Sequence, residues 1–374
     1  MTHAVRPIRM EDADDISALL DWAWFPHRSE AGWRWLCRTP RSMAARAIPT
    51  GYVVEDRDGR AAGVFGLFVQ DYSSRQGPLV GGTGHTLIVH PRIRGASAAL
   101  IDAVLDQPNL FGVTVLHAND LAAPIYQRHG MVPYPADTHQ MSLVWLTDPI
   151  TLLAERAARG AKAKLDRDER PTQERFLPDR VFQTDLLHLS ETVRALRPSD
   201  LDYRIDAFSE ALSAEGRLMA RRDAAAFRWR FANPDRTRDP ALLAWMDGDS
   251  VGALLLAEVT KVTQVDAPTL EIIDLVALAD CSGHAIPSLV SCLVRNAARL
   301  GCARVRLPVV TRELEGQLAS VPGMHRRHGH DHGLAWIRPG NETLTTDWRL
   351  TPYDGEFGLC FRSPPRPAQR ESAA

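Results

Sequence analysis

Residues 87–131 decide the fold. Leu87-Ile88-Val89 runs into His90-Pro91-Arg92-Ile93-Arg94-Gly95-Ala96-Ser97-Ala98-Ala99-Leu100, and Val113-Thr114-Val115-Leu116 later leads into Asn119-Asp120-Leu121-Ala122-Ala123-Pro124-Ile125-Tyr126-Gln127-Arg128-His129-Gly130-Met131. The first part reads as an apolar strand that stops at a loop of small residues opening a helix. Such a loop exposes backbone N–H groups to an anion with no large side chain in the way. The second part reads as another strand followed by a short helix that carries Tyr126 and ends at Gly130.

Around this stretch the first half reads as mixed α/β. Val5–Arg9 predicts a strand, and Met10-Glu11-Asp12-Ala13-Asp14-Asp15 opens a helix to about Trp24 with acids in its first turn, where the helix dipole favours them. A second helix is expected from Ser29 to Arg38. Gly51–Glu55 and Ala61–Val69 read as a hairpin closed by Asp56-Arg57-Asp58-Gly59. Two closing strands up to Leu146 complete this half. Leu152–Leu165 is a charged amphipathic helix, and Asp166-Arg167-Asp168-Glu169-Arg170-Pro171 a solvated break. The expected division is a first domain over 1–148, a helical linker over 149–199, a second domain over 200–363, and a disordered tail over 364–374.

The second half echoes the first. Trp33-Arg34-Trp35 before Pro40 returns as Phe227-Arg228-Trp229 before Pro234, and the hairpin ending at Gly63 returns at Trp245–Gly252. Gly130-Met131 returns as Gly323-Met324, and the strand with Trp145 as one with Trp336. Four echoes in one order point to a diverged duplication.

Composition narrows the classes. The 374 residues suffice for two cores. A formal net charge of −2 leaves no electrostatic footprint for nucleic acid or an anionic membrane. The five cysteines form no CxxC and are odd in number, which predicts neither a disulfide framework nor a zinc site. No signal peptide or membrane span is read, so a cytoplasmic protein is expected.

Residues 1–146 resemble the GCN5-related N-acetyltransferases, a superfamily that moves an acyl group from acyl-CoA to an amine. Val89, Pro91, Arg94, Gly95 and Ala99 fall in register with its acyl-CoA motif, with Ser97 where the family usually has Gly. Asn119, Ala122, Tyr126 and Gly130 fall in register with its later motif. The resemblance implies two tandem mixed β-sheets with splayed central strands flanked by helices. It implies that the backbone of Arg94, Gly95, Ala96, Ser97, Ala98 and Ala99 binds the pyrophosphate of acetyl-CoA. Leu87, Ile88 and Val89 would offer the strand edge to the pantetheine arm, and Asn119 would meet the cofactor at the mouth of the splay. Tyr126 is the expected acid for the departing thiolate.

The base is open. The family often places a Glu on the strand before the loop, and Gly81-Gly82-Thr83-Gly84-His85-Thr86-Leu87 has none. His85 has the right intrinsic pKa range, His117 is its rival, and a water or the second domain could serve instead. His325-Arg326-Arg327-His328-Gly329-His330-Asp331-His332 reads as an exposed hairpin, not a metal site. Trp33 and Trp35 read as core, with a secondary claim to substrate contact. In the second half Ala279–Pro287 stands where the phosphate loop would be, with Asp280 in place of a cradle and Leu318 near the place of Tyr126. A degenerate copy that does not bind CoA is expected. The function expected is N-acetyl transfer to a small-molecule amine without a metal, by a chain able to form a homodimer. A non-catalytic tandem module binding acyl-CoA or a protein partner is the alternative.

Overall fold

The computed structural model describes residues 4–23, 25, 28–165, 187–236, 239–260 and 266–359. The predicted break at 166–171 and tail at 364–374 lie outside them. In the first half β1 (Val5–Pro7) is followed by α1 (Ala13–Trp22), α2 (Glu30–Cys37), α3 (Met43–Arg46), β2 (Gly51–Glu55), β3 (Ala61–Ser73) and β4 (Leu79–Val89). Then come α4 (Ala96–Leu105), β5 (Gly112–Ala118), α5 (Ala123–Arg128), β6 (Val132–Pro133) and β7 (Met141–Leu146). After α6 (Pro149–Leu165) the second half runs β8 (Val193–Leu196), α7 (Tyr203–Ala214), β9 (Met219–Ala220), α8 (Ala224–Phe231), β10 (Ala241–Asp247), β11 (Ser250–Thr260) and β12 (Thr269–Ala277). It closes with α9 (Ser282–Ala297), β13 (Arg304–Leu307), α10 (Arg312–Leu318), β14 (Met324–His328) and β15 (His332–Ile337).

Local chemistry sets these bounds. Ser29 caps α2 by accepting from the Gly32 N–H at 3.0 Å, and Asp223 caps α8 in the same way from Ala226 at 2.8 Å. On α4 the buried residues Ala96, Leu100, Ile101, Val104 and Leu105 lie along one helical face, which packs on the sheet.

Two mixed sheets result, and their strand orders match. The first reads β1-β2-β3-β4-β5-β15-β6, and the second, from its far edge, β8-β10-β11-β12-β13-β7-β14. Each half contributes its last strand to the other half's sheet. β7, expected to close the first half, pairs with β13 and β14 in the second sheet. β15 pairs with β5 and β6 in the first. The link between β6 and β7 bonds to the start of β15, Tyr134 N–H to Gly333 O at 2.9 Å and Gly333 N–H to His139 O at 2.8 Å. β8 falls inside the stretch read as linker, where it forms the edge of the second sheet through β10.

The cores follow this exchange. Trp145, fully buried, packs with Leu289, Val290 and Leu293 of α9 in the second half. A further core joins Tyr72, Phe111 and Leu116 of the first half to Phe208, Phe227, Trp348 and Tyr353 of the second. Separate layers cover the two faces of the first sheet: α4 and α5 on one, and α1 and α2 with Trp229 on the other. Among the described residues no helix is long and apolar enough to cross a membrane.

Candidate active site

β4 and β5 run parallel and pair only at Gly82–Val113 and Thr83–Thr114. The Thr83 and Thr114 hydroxyls meet at 3.1 Å just where the strands part. Beyond them β4 continues to Val89 and β5 to Ala118 with no ladder between. On its other side β4 stays paired to β3, through Val64–Ile88 and Gly63–Val89. Leu87–Val89 therefore turns its second edge to the gap. The β3–β4 register slips between Val64 and Gly66, and Thr86 there takes φ +57°. A β-branched residue in that region is strained, and such strain concentrates at functional positions.

The gap opens onto the start of α4. After Val89 the chain makes a turn closed by Ile93 N–H to His90 O at 3.0 Å. Gly95 caps α4 at φ +83° with no side-chain hydrogen bond to the helix, and a side chain there would meet nothing within 4 Å. The left-handed conformation suits Gly at little cost. The missing side-chain cap leaves the first N–H groups of the helix to other acceptors. No acid occupies the first turn, so nothing competes with an anion there. Ala96 is buried while Ser97, Ala98 and Ala99 stay part-exposed. Thus Arg94–Ala99 and the free edge of Leu87–Val89 lie at one end of the splay. Asn119 stands at the end of β5, where its Oδ1 accepts from Leu121 at 3.1 Å and Ala122 at 2.9 Å. Its side-chain oxygen thereby shapes the entry to α5, and its amide nitrogen remains for a ligand.

Tyr126 comes from α5 and is buried on the α4 side of the sheet, its ring 5.8 Å from that of Phe65. Its hydroxyl takes no hydrogen bond among the described residues. Burial first, then the negative charge of Glu356, push the phenol well above its ordinary value. His85 lies on the opposite face, its ring directly over Gly66. Burial and the nearby Arg28 cation lower it to about 3, so it is neutral at physiological pH. Its Nδ1 meets the Thr86 hydroxyl at 2.9 Å, and its Nε2 is buried without a hydrogen-bond partner. His117 is held differently: Nε2 pairs with Asp331 at 2.8 Å and the ring packs on Phe357.

A carboxylate that sequence reading missed also reaches the gap. Residues 351–359, after the last strand, cross the sheet where β4 and β5 part. Thr83 donates to Asp354 O at 2.7 Å, and Glu356 accepts from the Leu116 N–H of β5 at 3.1 Å. The segment is anchored by Arg222, which is buried and bonded to Asp274 and Asp354. Burial opposes the Arg222 charge, but the two carboxylates outweigh it and raise the guanidinium above its usual value. Glu356 lies some 240 residues from Leu116 in the chain, and its neighbourhood carries no motif. The charge of Glu356 thus reaches Tyr126 near the opening.

No protein-family model matches the sequence, and no curated protein does. Solved structures do match in shape. N-myristoyltransferase of Saccharomyces cerevisiae with bound myristoyl-CoA superposes with a TM-score of 0.53 at 10% identity, over 90% of this chain and 79% of that one. A GCN5-related N-acetyltransferase from Anabaena variabilis gives 0.53 at 14%, over 90% and 73%. A conserved protein of Enterococcus faecalis, described as a probable N-acyltransferase, gives 0.52 at 10%, over 90% and 73%.

The chain has the tandem GCN5-related N-acetyltransferase fold.

Within that fold the second half keeps the architecture of the first with a different residue at the helix start. β11 and β12 slip by one residue at Leu256/Ala257, as β3 and β4 do, and β12 pairs with β13 only over Thr269–Glu271. Where the first half has Gly95, α9 is capped by Cys281 at φ −110°, whose thiol donates to Gly252 O at 3.1 Å. Asp274 of β12, beyond the paired stretch, holds Arg222. The histidine-rich stretch expected as a hairpin is not one: β14 pairs with β7 in the second sheet and β15 with β5 and β6 in the first, and His330 and His332 both bond Asp120, at 2.8 and 2.9 Å. No group of three potential metal ligands occurs among the described residues. Trp33 and Trp35 are both buried, while Arg34 reaches outward to Glu30.

Proposed function

We propose that the protein is an acyl-CoA-dependent N-acyltransferase, transferring acetyl from acetyl-CoA to the primary amine of a small molecule. The observation that carries this reading is the splay beyond Thr83–Thr114 opening onto an α4 N-terminus that a glycine caps. The pyrophosphate would sit on the backbone of Arg94–Ala99, where aligned peptide dipoles favour negative charge. The pantetheine would run along the free edge of Leu87–Val89.

The amine would enter from the opposite face, past His85, and attack the thioester carbonyl near the Thr86 bulge. Backbone N–H groups at such a bulge can stabilise the oxyanion that forms. As the carbon–sulfur bond breaks, Tyr126 donates to the thiolate. Its raised pKa keeps the phenol protonated, so it serves as a hydrogen-bond donor that follows the sulfur charge. Neutral His85 can accept a hydrogen bond from the amine through Nε2, but a group lowered to about 3 is a weak base. Glu356 is the carboxylate placed to take the proton. The second half, which has Cys281 where the first has Gly95 and lacks the Arg-led loop, would not bind CoA.

Thiol release from acetyl-CoA, followed over a panel of amino sugars, amino acids and polyamines, tests the reading. Turnover on an amine supports it. Tight CoA binding without release on any amine would favour a non-catalytic acyl-CoA-binding module instead.

A further inference from the structure

A cavity of about 280 Å³ lies between the halves on the face that carries His85. Its walls include Phe68 and Gln70 of β3, Arg41 just before α3 and Arg46 at its end, and Arg221 and Trp229 from the second half. Side chains two apart on a strand share a face, so Gly66 under His85, Phe68 opposite Thr83 and Gln70 opposite Gly81 form one row. That row leads from the reacting position into the cavity over about 13 Å, at roughly 3.3 Å per residue.

The charges around the cavity do not balance. Asp223 is occupied by Arg221 at 2.5 Å and by the α8 cap. Asp71 accepts the Ser42 N–H at 2.6 Å and its hydroxyl at 2.5 Å. No carboxylate of the described residues forms an ion pair with Arg41 or Arg46. Arg41 donates only to Cys37 O at 3.4 Å, Arg46 to Arg41 O at 3.1 Å, and Arg41 Nε is buried with no partner at all. Burial chiefly, with the neighbouring Arg46, weakens the hold of Arg41 on its proton, against the opposing pull of Cys37 and of the Asp71 carboxylate. Between these cations and His85 the wall is apolar, with Phe68 and Trp229 stacked at 5.5 Å and 8°.

We propose that this cavity binds the acceptor, and that the acceptor is an anionic amine. Its carboxylate or phosphate pairs with Arg41 and Arg46, an apolar middle lies along Phe68 and Trp229, and its amine reaches the splay near His85. This rests on the acyltransferase reading and narrows the acceptor within it. Guanidinium groups suit both anions because they offer paired donors, and a partly buried Arg41 that no carboxylate pairs with directly gains from an anion at the site.

The test compares 6-aminohexanoate, 6-aminohexyl phosphate and hexylamine as acceptors for acetyl-CoA with the full chain. At least one anionic amine should exceed hexylamine tenfold or more in kcat/KM, and which one leads tells carboxylate from phosphate. Arg41→Gln and Arg46→Gln should each shrink that preference severalfold, chiefly through KM. Equal use of the three amines, or a preference untouched by both variants, overturns the proposal. Calorimetric titration with N-acetyl-6-aminohexanoate and with inorganic phosphate reads the cavity without turnover. Saturable binding of either that weakens tenfold in Arg41→Gln supports the site, and binding of neither overturns it. If the titration succeeds while no amine releases thiol, the cavity stands and the acyltransferase reading falls.

Discussion

Trp35 and Trp229 stack face to face, ring centroids 4.2 Å apart and planes 4° from parallel. Each indole N–H donates to the other residue's carbonyl, at 2.7 and 3.0 Å. The two residues hold corresponding places in the repeated sequence pieces, on α2 and α8. A contact of a residue with its own counterpart, reciprocal in both bonds, marks the pseudo-two-fold axis relating the halves. It also supports the wall of the proposed acceptor cavity, because Phe68 of β3 stacks on Trp229.

Replacing either tryptophan by Ala should cost about 3–5 kcal/mol, the range for buried aromatic truncations. The double variant should cost less than the sum by about 0.5–3 kcal/mol, since each single change already breaks the pair. Denaturant unfolding of the four proteins checks this, and strict additivity would deny that the pair joins the halves energetically.

Ser97→Asp should separate stability from cofactor binding. An acid in the first turn of α4 gains about 0.3–1 kcal/mol from the helix dipole. The same charge would repel a pyrophosphate bound there, weakening CoA about tenfold or more, each tenfold being about 1.4 kcal/mol. Thermal unfolding and CoA titration should therefore move in opposite senses. Unchanged CoA affinity would place the pyrophosphate elsewhere.

Tyr126→Phe removes the proposed donor to the thiolate without emptying the core, so stability should hold while kcat falls by roughly 10²-fold or more, as for other proton-transfer groups. Glu356→Gln keeps an acceptor for the Leu116 N–H but removes the charge, and should lower kcat by a similar order, with the loss least at high pH, where the amine is already neutral. A kcat unaffected by either change, across pH, withdraws that residue's role.

His85 should give stability a pH slope. Unfolded, it titrates near 6.5, while in the fold burial lowers it to about 3. The unfolded chain thus binds the extra proton between these values, and the folded state loses stability as pH falls through that window, by at most about 1.4 kcal/mol per pH unit. His85→Gln should flatten the curve between about pH 6.5 and 3, measured by denaturant titration. An unaltered slope would mean that His85 is solvated in the folded protein.

The sequence by itself determined the local pieces. The small-residue loop at Arg94–Ala99 had to open a helix because apolar spacing from Ala96 to Leu105 follows one face, and Gly95 suits the left-handed turn before it. The spacing of Asn119, Tyr126 and Gly130 placed Tyr126 on a short helix that stops before Gly130, and the paired Trp pieces disclosed the duplication. Only the tertiary structure decided which strand closes which sheet. β7 and β15 are similar apolar strands after similar short links, and strand pairing depends on edges hundreds of residues away, which local alternation does not encode. The same non-locality hid Glu356 and the arginine-lined cavity. Both bring together residues far apart in the chain, while each segment alone reads as ordinary loop or helix.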